Sequence, residues 1–320
     1  MKPSTLASTT ETSSELAARP VSCWAYDAVV PDKSRAVLAV AFAASLFGLT
    51  GTVAASGPDD LAPFAAGVWR SIVGGIALIA VAIVSGERVW RYNLINRWVA
   101  VGALGVAVYQ IAFFEAIDRT GVALGTLVAI ASGPPIAGLL DALVQRCRPS
   151  RTWLLGTAVA VAGVAVLSFG STDVDAVGIG LAVVAGTSFP LFGLAAQRLM
   201  LDRPFVVSMA TVFGFGAVLL APAAVITLGD VVRSFDATLT VSTLGVVTLT
   251  LAYWLWGLGL DRLSLSVVVT VTLVEPAVAA LLAVVVLNEP FTVALVAGVV
   301  LVALGVRLGS LETTAASTSK

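Results

Sequence analysis

Glu275 is the residue of this chain whose surroundings most need an explanation. It lies about halfway along an apolar run at 265–287 and is followed by Pro276. An ionisable group at that depth in a lipid bilayer costs at least ~2.5 kcal/mol, so a functional role is the default expectation. Two interpretations stand. Either the side chain binds an ammonium group or a coupling proton, or it caps a neighbouring helix or bonds to the backbone freed by Pro276.

A second break in an apolar run is the segment Ser132-Gly133-Pro134-Pro135, within 122–144. Proline removes a backbone donor and kinks helices, and kinked backbone at membrane depth usually lines a cavity. We expect Ser132, Gly133 and Pro134 either to present carbonyls and a hydroxyl to a ligand opposite Glu275, or only to shape the bundle.

Two more charges, Arg70 and Glu115, lie inside the second and third apolar runs. Their depths below the same predicted surface are similar, so the sequence suggests that they pair. Arg70 would otherwise hold a carboxylate, form an outer gate, or extend its side chain to the surface. Asp141 lies close in sequence to Arg146 and Arg148, and we interpret it as an ion-pair or gate residue at the inner surface.

Aromatic and small side chains supply the remaining candidates. Tyr109 and Trp254 belong either to an interfacial aromatic belt or to a wall that packs an apolar or cationic ligand. Ser188 lies in the mid-run segment 186–190, whose Phe189-Pro190 corresponds to Phe47-Gly48. Such small-residue segments either line a cavity or let helices pack closely.

The elements that hold these residues must be membrane helices. Hydrophobic residues make up 58% of the 320 residues and charged residues 12%, with a mean hydropathy of +1.01. A soluble domain carries about a quarter charged residues, so lipid must cover this chain.

Composition also excludes several classes of function. The net charge of −1 does not indicate nucleic-acid binding. Histidine is absent, metal-ligand clusters and a phosphate-cradling Gly-Lys-Ser/Thr run are not visible, and we therefore expect neither an enzyme nor an ATP-driven pump. We expect no cofactor and no metal.

Ten apolar runs are long enough to cross a bilayer. They are predicted near 36–55, 63–85, 98–117, 122–144, 152–170, 177–197, 205–227, 239–260, 265–287 and 292–310. Short joints, including Asn288-Glu289-Pro290, force neighbouring helices to be antiparallel. Polar segments at 1–33 and 311–320 are predicted to be tails.

The basic residues predict an orientation. Of the 18 Lys and Arg residues, only Arg119 and Arg233 fall in predicted outer segments, and Arg70 lies within a helix. Basic residues concentrate on the cytoplasmic side of membrane proteins. We therefore expect both termini to be cytoplasmic and the number of spans to be even.

An internal repeat is visible in the sequence. The stretch 117–121 (IDRTG) resembles 260–264 (LDRLS), and Pro134 then matches Pro276 with a shift of one residue. In that shifted register, Gly156 and Gly163 match Gly298 and Gly305. Because each copy has five spans, the second enters the membrane inverted, which predicts an all-α membrane protein of two inverted five-helix repeats, 34–170 and 171–310.

The C-terminal half resembles the drug/metabolite transporter superfamily, in particular its EamA-type ten-helix members. The resemblance rests on the run 251–262 (LAYWLWGLGLDR), on 273–282 (LVEPAVAALL), on 287–291 (LNEPF), and on Gly298 and Gly305. Arg70 falls where the family often has an arginine. The first repeat departs from the second, with Gly133 in place of Glu275.

This resemblance implies an inner-membrane secondary transporter, chiefly an exporter of small metabolites such as amino acids or drug-like compounds, working by alternating access. Its partners would be a small-molecule substrate and the lipid bilayer, with proton coupling and a homodimer left open. A lipid flippase or facilitator of the same fold, and a non-transporting membrane scaffold or receptor, are the alternatives.

Overall fold

The computed structural model describes residues 33–146, 148–167, 175–286 and 292–310. The predicted tails at 1–33 and 311–320 lie outside these residues except for Lys33, and so do the joint at 288–290 and the predicted repeat boundary at 170/171. Every long element in the described ranges is helical.

The described residues form ten long helices, as predicted. Nine are long and apolar enough to cross a membrane, and α5, of 17 residues, is shorter. Their bounds are α1 Lys33–Ala55, α2 Pro63–Val84, α3 Arg97–Gly121, α4 Leu124–Leu143, α5 Arg151–Leu167, α6 Ala176–Leu199, α7 Phe205–Ile226, α8 Phe235–Leu260, α9 Leu265–Val286 and α10 Val293–Ser310.

Helix α3 runs farther than predicted, to the sharp break that separates it from α4. The break lies at Gly121, which has φ 78° and ψ 159°. A positive φ favours glycine because other residues are strained there by their Cβ atom. The predicted joint at 118–121 is therefore helical almost to its last residue.

Helix α8 also begins earlier than predicted, at Phe235, because Ser234 caps it. The Ser234 hydroxyl accepts a hydrogen bond from the backbone N–H of Ala237 at 3.1 Å, which satisfies one of the free donors of a helix start. Farther along, α8 contains a π-helical segment at Val246–Leu251. The chain between α7 and α8, predicted as a loop, includes a short helix at Leu228–Val232.

Contacts between α5 and α10 agree with an inverted repeat. A Cβ atom added at Gly163 would lie 2.8 Å from the carbonyl of Gly298, and one at Gly305 would collide with the carbonyl of Gly156. Exchanging each glycine for its repeat counterpart turns the first contact into the second. A pseudo-twofold axis between the two helices has this property, and the glycines let the backbones touch.

Near the middle of the bundle, helices of one repeat also pack on helices of the other. Helix α1 packs on α9, where a Cβ at Gly48 would lie 2.9 Å from the carbonyl of Glu275. Helix α6 packs in the same manner on α4, where a Cβ at Gly186 would collide with Ser132. The two polar breaks of the sequence, at Glu275 and at Ser132–Pro135, therefore both lie at contacts between repeats.

Candidate functional site

A cavity lies between the two repeats, at the contact of α4 with α9. It contains about 340 Å³ of empty space, part of which is open to the surroundings. Its lining comes from α3, α4, α6 and α9 and consists of Tyr109, Ala129, Ile130, Gly133, Phe189, Val269, Thr272 and Glu275.

Glu275 is placed in this cavity by an interruption in α9. The helix ends its first segment at Thr272 and begins again at Val274, so that Glu275 lies in the first turn of the second segment. The exposed N–H groups of a helix start favour a negative charge there. Against α1, the absence of a side chain at Gly48 lets the backbone around Glu275 approach closely.

The carboxylate of Glu275 makes no hydrogen bond and no ion pair with the residues that the structure describes. The alternative of a capping role, or of a bond to backbone freed by Pro276, is therefore not formed in this conformation. The side chain is partly accessible because it faces the cavity. Because the carboxylate has no hydrogen-bond or ion-pair partner among the described residues, it can bind a ligand or a proton.

Arg70, on α2, is a second charge close to Glu275, but it is not one of the residues that line the cavity. Its side chain is only 7% exposed, and its Nη2 atom donates a hydrogen bond of 2.9 Å to the carbonyl of Thr248. Its buried Nε atom has no partner among the described residues. Arg70 is near enough to Glu275, Tyr109 and Tyr253 for direct Coulombic interaction, although no N···O distance to Glu275 is within 4.0 Å.

The π-helical segment of α8 supplies the carbonyl that holds Arg70. The wider π turn breaks the regular hydrogen-bond ladder, and such turns often mark functional sites. The hydroxyl of Thr250 donates to the carbonyl of Gly245 at 3.0 Å and to that of Gly74, on α2, at 3.2 Å. The bond to Gly74 ties α8 to α2 one helical turn after Arg70.

The pairing of Arg70 with Glu115, one of the alternatives that the sequence left open, is not formed. Glu115 accepts a hydrogen bond of 2.8 Å from Nε of Arg119, one helical turn away, and both side chains are about two-fifths exposed. Arg119 also lies 3.8 Å from Asp175. Similar depth did not bring Arg70 and Glu115 together, because Arg70 faces the bundle interior while Glu115 faces outward, toward Arg119.

Tyr109 is among the residues that line the cavity, whereas Trp254 is not. The Tyr109 ring stacks on Phe113 at 5.4 Å between centroids and approaches Phe189 at 5.8 Å. Trp254 instead contacts Phe205, on α7, at 6.2 Å. The indole that supports the site is that of Trp256, whose Nε1 atom donates to the lining residue Thr272 at 3.1 Å.

Of the remaining predicted residues, one lines the cavity and the others do not. Gly133 lines the cavity. Ser132 and Ser188 do not, because each hydroxyl donates at 2.8 Å to a carbonyl one turn back in its own helix, that of Val128 or Val184. The prolines at 134 and 276 adjoin the lining residues in sequence but are not themselves part of the lining.

Five lining residues were not assigned to the cavity from the sequence. Thr272 and Val269 lie three and six positions before Glu275, and helical spacing would have indicated at least the former. Ala129 and Ile130 precede Gly133 by one turn. Phe189 was considered, but the spacing could not decide between lining and packing. In the described residues, no three Asp, Glu, Cys or His side chains lie together to hold a metal ion.

Comparison with known proteins agrees with this architecture. The model of the EamA-like transporter family matches residues 34–169 and again 176–311. An uncharacterized transporter of Bacillus subtilis, YwfM, is 35% identical over 277 residues, which cover 84% of this chain and 91% of YwfM. An uncharacterized transporter of Archaeoglobus fulgidus is 26% identical, over 84% of this chain and 96% of its own length.

The fold also has a counterpart among solved structures. One crystal structure superposes with a TM-score of 0.75 over 89% of this chain and 99% of its own chain, at 23% sequence identity. At that identity the likeness supports the fold alone. With two family matches that follow the two repeats, and with nine long apolar helices in the described residues, the chain is a multi-pass membrane protein that belongs to the EamA-like transporter family.

Proposed function

We propose that this protein is a secondary transporter that exports small metabolites, of an amino-acid-like or drug-like kind, across the inner membrane by alternating access. The observation that carries the proposal is the carboxylate of Glu275, which faces a cavity between inverted repeats and has no partner among the described residues. Inverted repeats with a midplane site at their interface are a common design for alternating access.

The charges around the cavity favour a substrate with both an ammonium and a carboxylate group. Glu275 offers one negative charge, and Arg70, from the other repeat, offers a guanidinium with an unused buried donor. Tyr109 and Phe189 provide aromatic surface in the lining of the same cavity as Glu275. Aromatic rings bind both apolar groups and cations, so this surface suits the organic part of such a molecule.

Uptake into proteoliposomes tests the proposal. The purified protein is reconstituted, loaded with an unlabelled candidate, and assayed for counterflow of labelled amino acids and amine drugs. We expect counterflow of at least one zwitterionic compound and a much lower rate in vesicles that contain Glu275→Gln. No counterflow across the panel, with a thermal unfolding temperature that no compound shifts, would favour a scaffold or receptor.

Imposing a proton gradient separates an exporter from a facilitator. If Glu275 carries a coupling proton, a gradient drives the substrate above its equilibrium distribution. A facilitator equilibrates the substrate at the same final level with or without the gradient. Labelled phospholipid in the same vesicles tests the flippase alternative.

A further inference from the structure

The face of the bundle at which the described chain begins and ends is sealed by buried side chains. We call it the terminal face. At this face, the start of α1 packs on the end of α8, where a Cβ at Gly259 would lie 3.2 Å from the carbonyl of Ala36. The end of α10 packs there on α9, since a Cβ at Gly309 would lie 3.1 Å from the Thr270 side chain.

A buried carboxylate holds the first turn of α9 at this face. Asp141, near the end of α4, is 1% exposed, and its Oδ2 atom accepts a hydrogen bond of 2.8 Å from the backbone N–H of Ser266. Its Oδ1 atom accepts one of 2.7 Å from Nε2 of Gln145. The carboxylate thus joins the first repeat to the start of α9, where the helix dipole favours a negative charge.

A second side chain holds the turn between α8 and α9. Nε2 of Gln197, at the end of α6, donates to the carbonyls of Leu260 and Leu263 at 3.1 and 3.0 Å. Its Oε1 atom accepts a hydrogen bond of 2.7 Å from Nε2 of Gln145. Asp141, Gln145 and Gln197 therefore form one buried chain of hydrogen bonds, which we call the latch.

At the other face, the described residues of the two repeats are joined by exposed ion pairs, with Arg233 2.9 Å from Asp60 and Arg119 3.8 Å from Asp175, and not by side chains at the positions equivalent to the latch. The register that matches Pro134 with Pro276 and Phe189 with Phe47 is a shift of 142 residues. In that register, the positions equivalent to Asp141, Gln145 and Gln197 hold Ala283, Leu287 and Ala55. Inverted repeats would otherwise make the two faces equivalent, so this difference separates them chemically.

Packing differs between the faces in the same sense. Every residue of α9 from Leu265 to Leu273 is buried, whereas beyond Glu275 only Ala277 is buried among the described residues of this helix.

We infer that the latch is the gate at the terminal face: it keeps the cavity at Glu275 closed to that face and accessible from the opposite one, and it must open for the substrate site to change sides. This inference rests on the alternating access proposed above.

Thiol labelling measures the gate without any substrate. Val269 lines the cavity on the half of α9 that faces the latch. A Val269→Cys variant, made in a chain with Cys23→Ser and Cys147→Ser, is treated with a membrane-impermeant maleimide in right-side-out and inside-out vesicles. We expect labelling from the face opposite the latch, and slow labelling from the terminal face.

Removing the latch should open the terminal face. Gln197→Leu or Gln145→Leu, each combined with the reporter, should raise the labelling rate from the terminal face about tenfold, the effect of losing one or two buried hydrogen bonds. Ser71→Ala is the matched control. It removes a buried bond of 3.0 Å to Gln110 within one repeat and should leave the labelling unchanged.

Two results would overturn the inference. One is equal labelling of the reporter from both faces in the chain with an intact latch. The other is an unchanged rate from the terminal face in Gln145→Leu and Gln197→Leu proteins that still label normally from the opposite face, which shows that they are folded. A transport assay that failed for lack of the right substrate would affect neither measurement.

Cross-linking provides an independent test. The side chains of Gln145 and Gln197 meet, so cysteines at both positions should be joined by a short bifunctional thiol reagent. The cross-linked protein should keep its labelling from the opposite face and lose any labelling from the terminal face. Rapid labelling from the terminal face after complete cross-linking would contradict the latch as the gate.

Discussion

Arg70 and Glu275 are buried charges of opposite sign that interact without forming an ion pair. Burying an isolated charge in an apolar interior costs free energy, so buried charges of opposite sign are usually in direct contact. Here Arg70 is held by the Thr248 carbonyl, and the carboxylate faces the cavity. Each charge therefore has its own surroundings in the structure, and the two do not neutralise each other by direct contact.

Replacing Glu275 by glutamine tests the negative half of this site. The change keeps the side-chain volume and removes the charge, so transport should fall by about 10- to 100-fold, the range of one charged hydrogen bond. Counterflow in proteoliposomes measures the effect. Glu115→Gln is the control, since it removes an exposed carboxylate that pairs only with Arg119. Equal activity of both variants would remove Glu275 from the mechanism.

Replacing Arg70 by glutamine tests the positive half. We expect KM for a zwitterionic substrate to rise about 10- to 100-fold, because a charged hydrogen bond to the carboxylate is lost. An amine analogue that lacks the carboxylate should be transported equally by both proteins. Arg233→Gln, which removes an exposed cation paired with Asp60, should not change KM. An equal loss for both ligands would assign Arg70 to the fold instead.

Some of the side chains that line the cavity were predicted from the sequence. Glu275, Gly133 and Tyr109 were predicted because a charge, a kink and an aromatic ring inside apolar runs each have a physical reason to face a cavity. The surroundings of Trp254, Arg70 and Glu115 could not be predicted, for a different reason. Which way a side chain faces is set by packing between distant helices, and a run that is apolar all round carries no mark of it.

Among the helices, the contact of α1 with α9 positions Glu275. A Cβ at Gly48 would lie 2.9 Å from the Glu275 carbonyl and 3.1 Å from the backbone nitrogen of Ala279. Gly48→Ala should therefore push the helices apart, at a cost of about 1–3 kcal/mol typical of overpacking. We expect a lower thermal unfolding temperature in detergent and reduced transport.

Gly51, on the same helix, is a matched control for Gly48. A Cβ there would meet nothing within 4 Å, so Gly51→Ala should only gain the helix propensity of alanine, about 1 kcal/mol. Its unfolding temperature should stay level or rise. If Gly48→Ala behaved in the same way, the close approach of α1 to Glu275 would be disproved.

The glycine contacts between α5 and α10, which we call the α5–α10 seam, stabilise the fold at a distance from the cavity. None of the lining residues belongs to either helix. A Cβ at Gly305 would collide with the backbone of Ala160 and Gly156, so Gly305→Ala should lower the unfolding temperature and leave KM unchanged. Gly180→Ala, where the added atom meets nothing within 4 Å, is the control. A changed KM in a stable Gly305→Ala protein would show that the seam moves with the site.

The repeat was visible in the sequence because close backbone contacts need glycine at fixed places. The matched glycines of α5 and α10 gave the register, and the structure shows that they touch. The π-helical segment of α8 was not predicted. Its only feature in the sequence is a run of Val, Thr and Leu that fits an α-helix equally well, and the extra width is stabilised by bonds to α2.

For the whole molecule, the remaining question is which side of the bilayer each face meets. Basic side chains remain on the cytoplasmic side because carrying them across the bilayer is costly. In the structure, Arg91, Arg198 and Arg203 lie in or beside joints at the terminal face, and Arg203 packs over Tyr92 at 5.4 Å while bonding the Asn93 carbonyl. The terminal face should therefore be cytoplasmic.

Reporter fusions decide this orientation. A fluorescent protein joined to Lys320 should be fluorescent, and alkaline phosphatase joined there should be inactive, because the first needs the cytoplasm and the second the oxidising exterior. Phosphatase inserted beside Asp230, in the joint between α7 and α8, should be active. The reverse pattern would place the latch outside, and the gate would then close the cavity to the exterior.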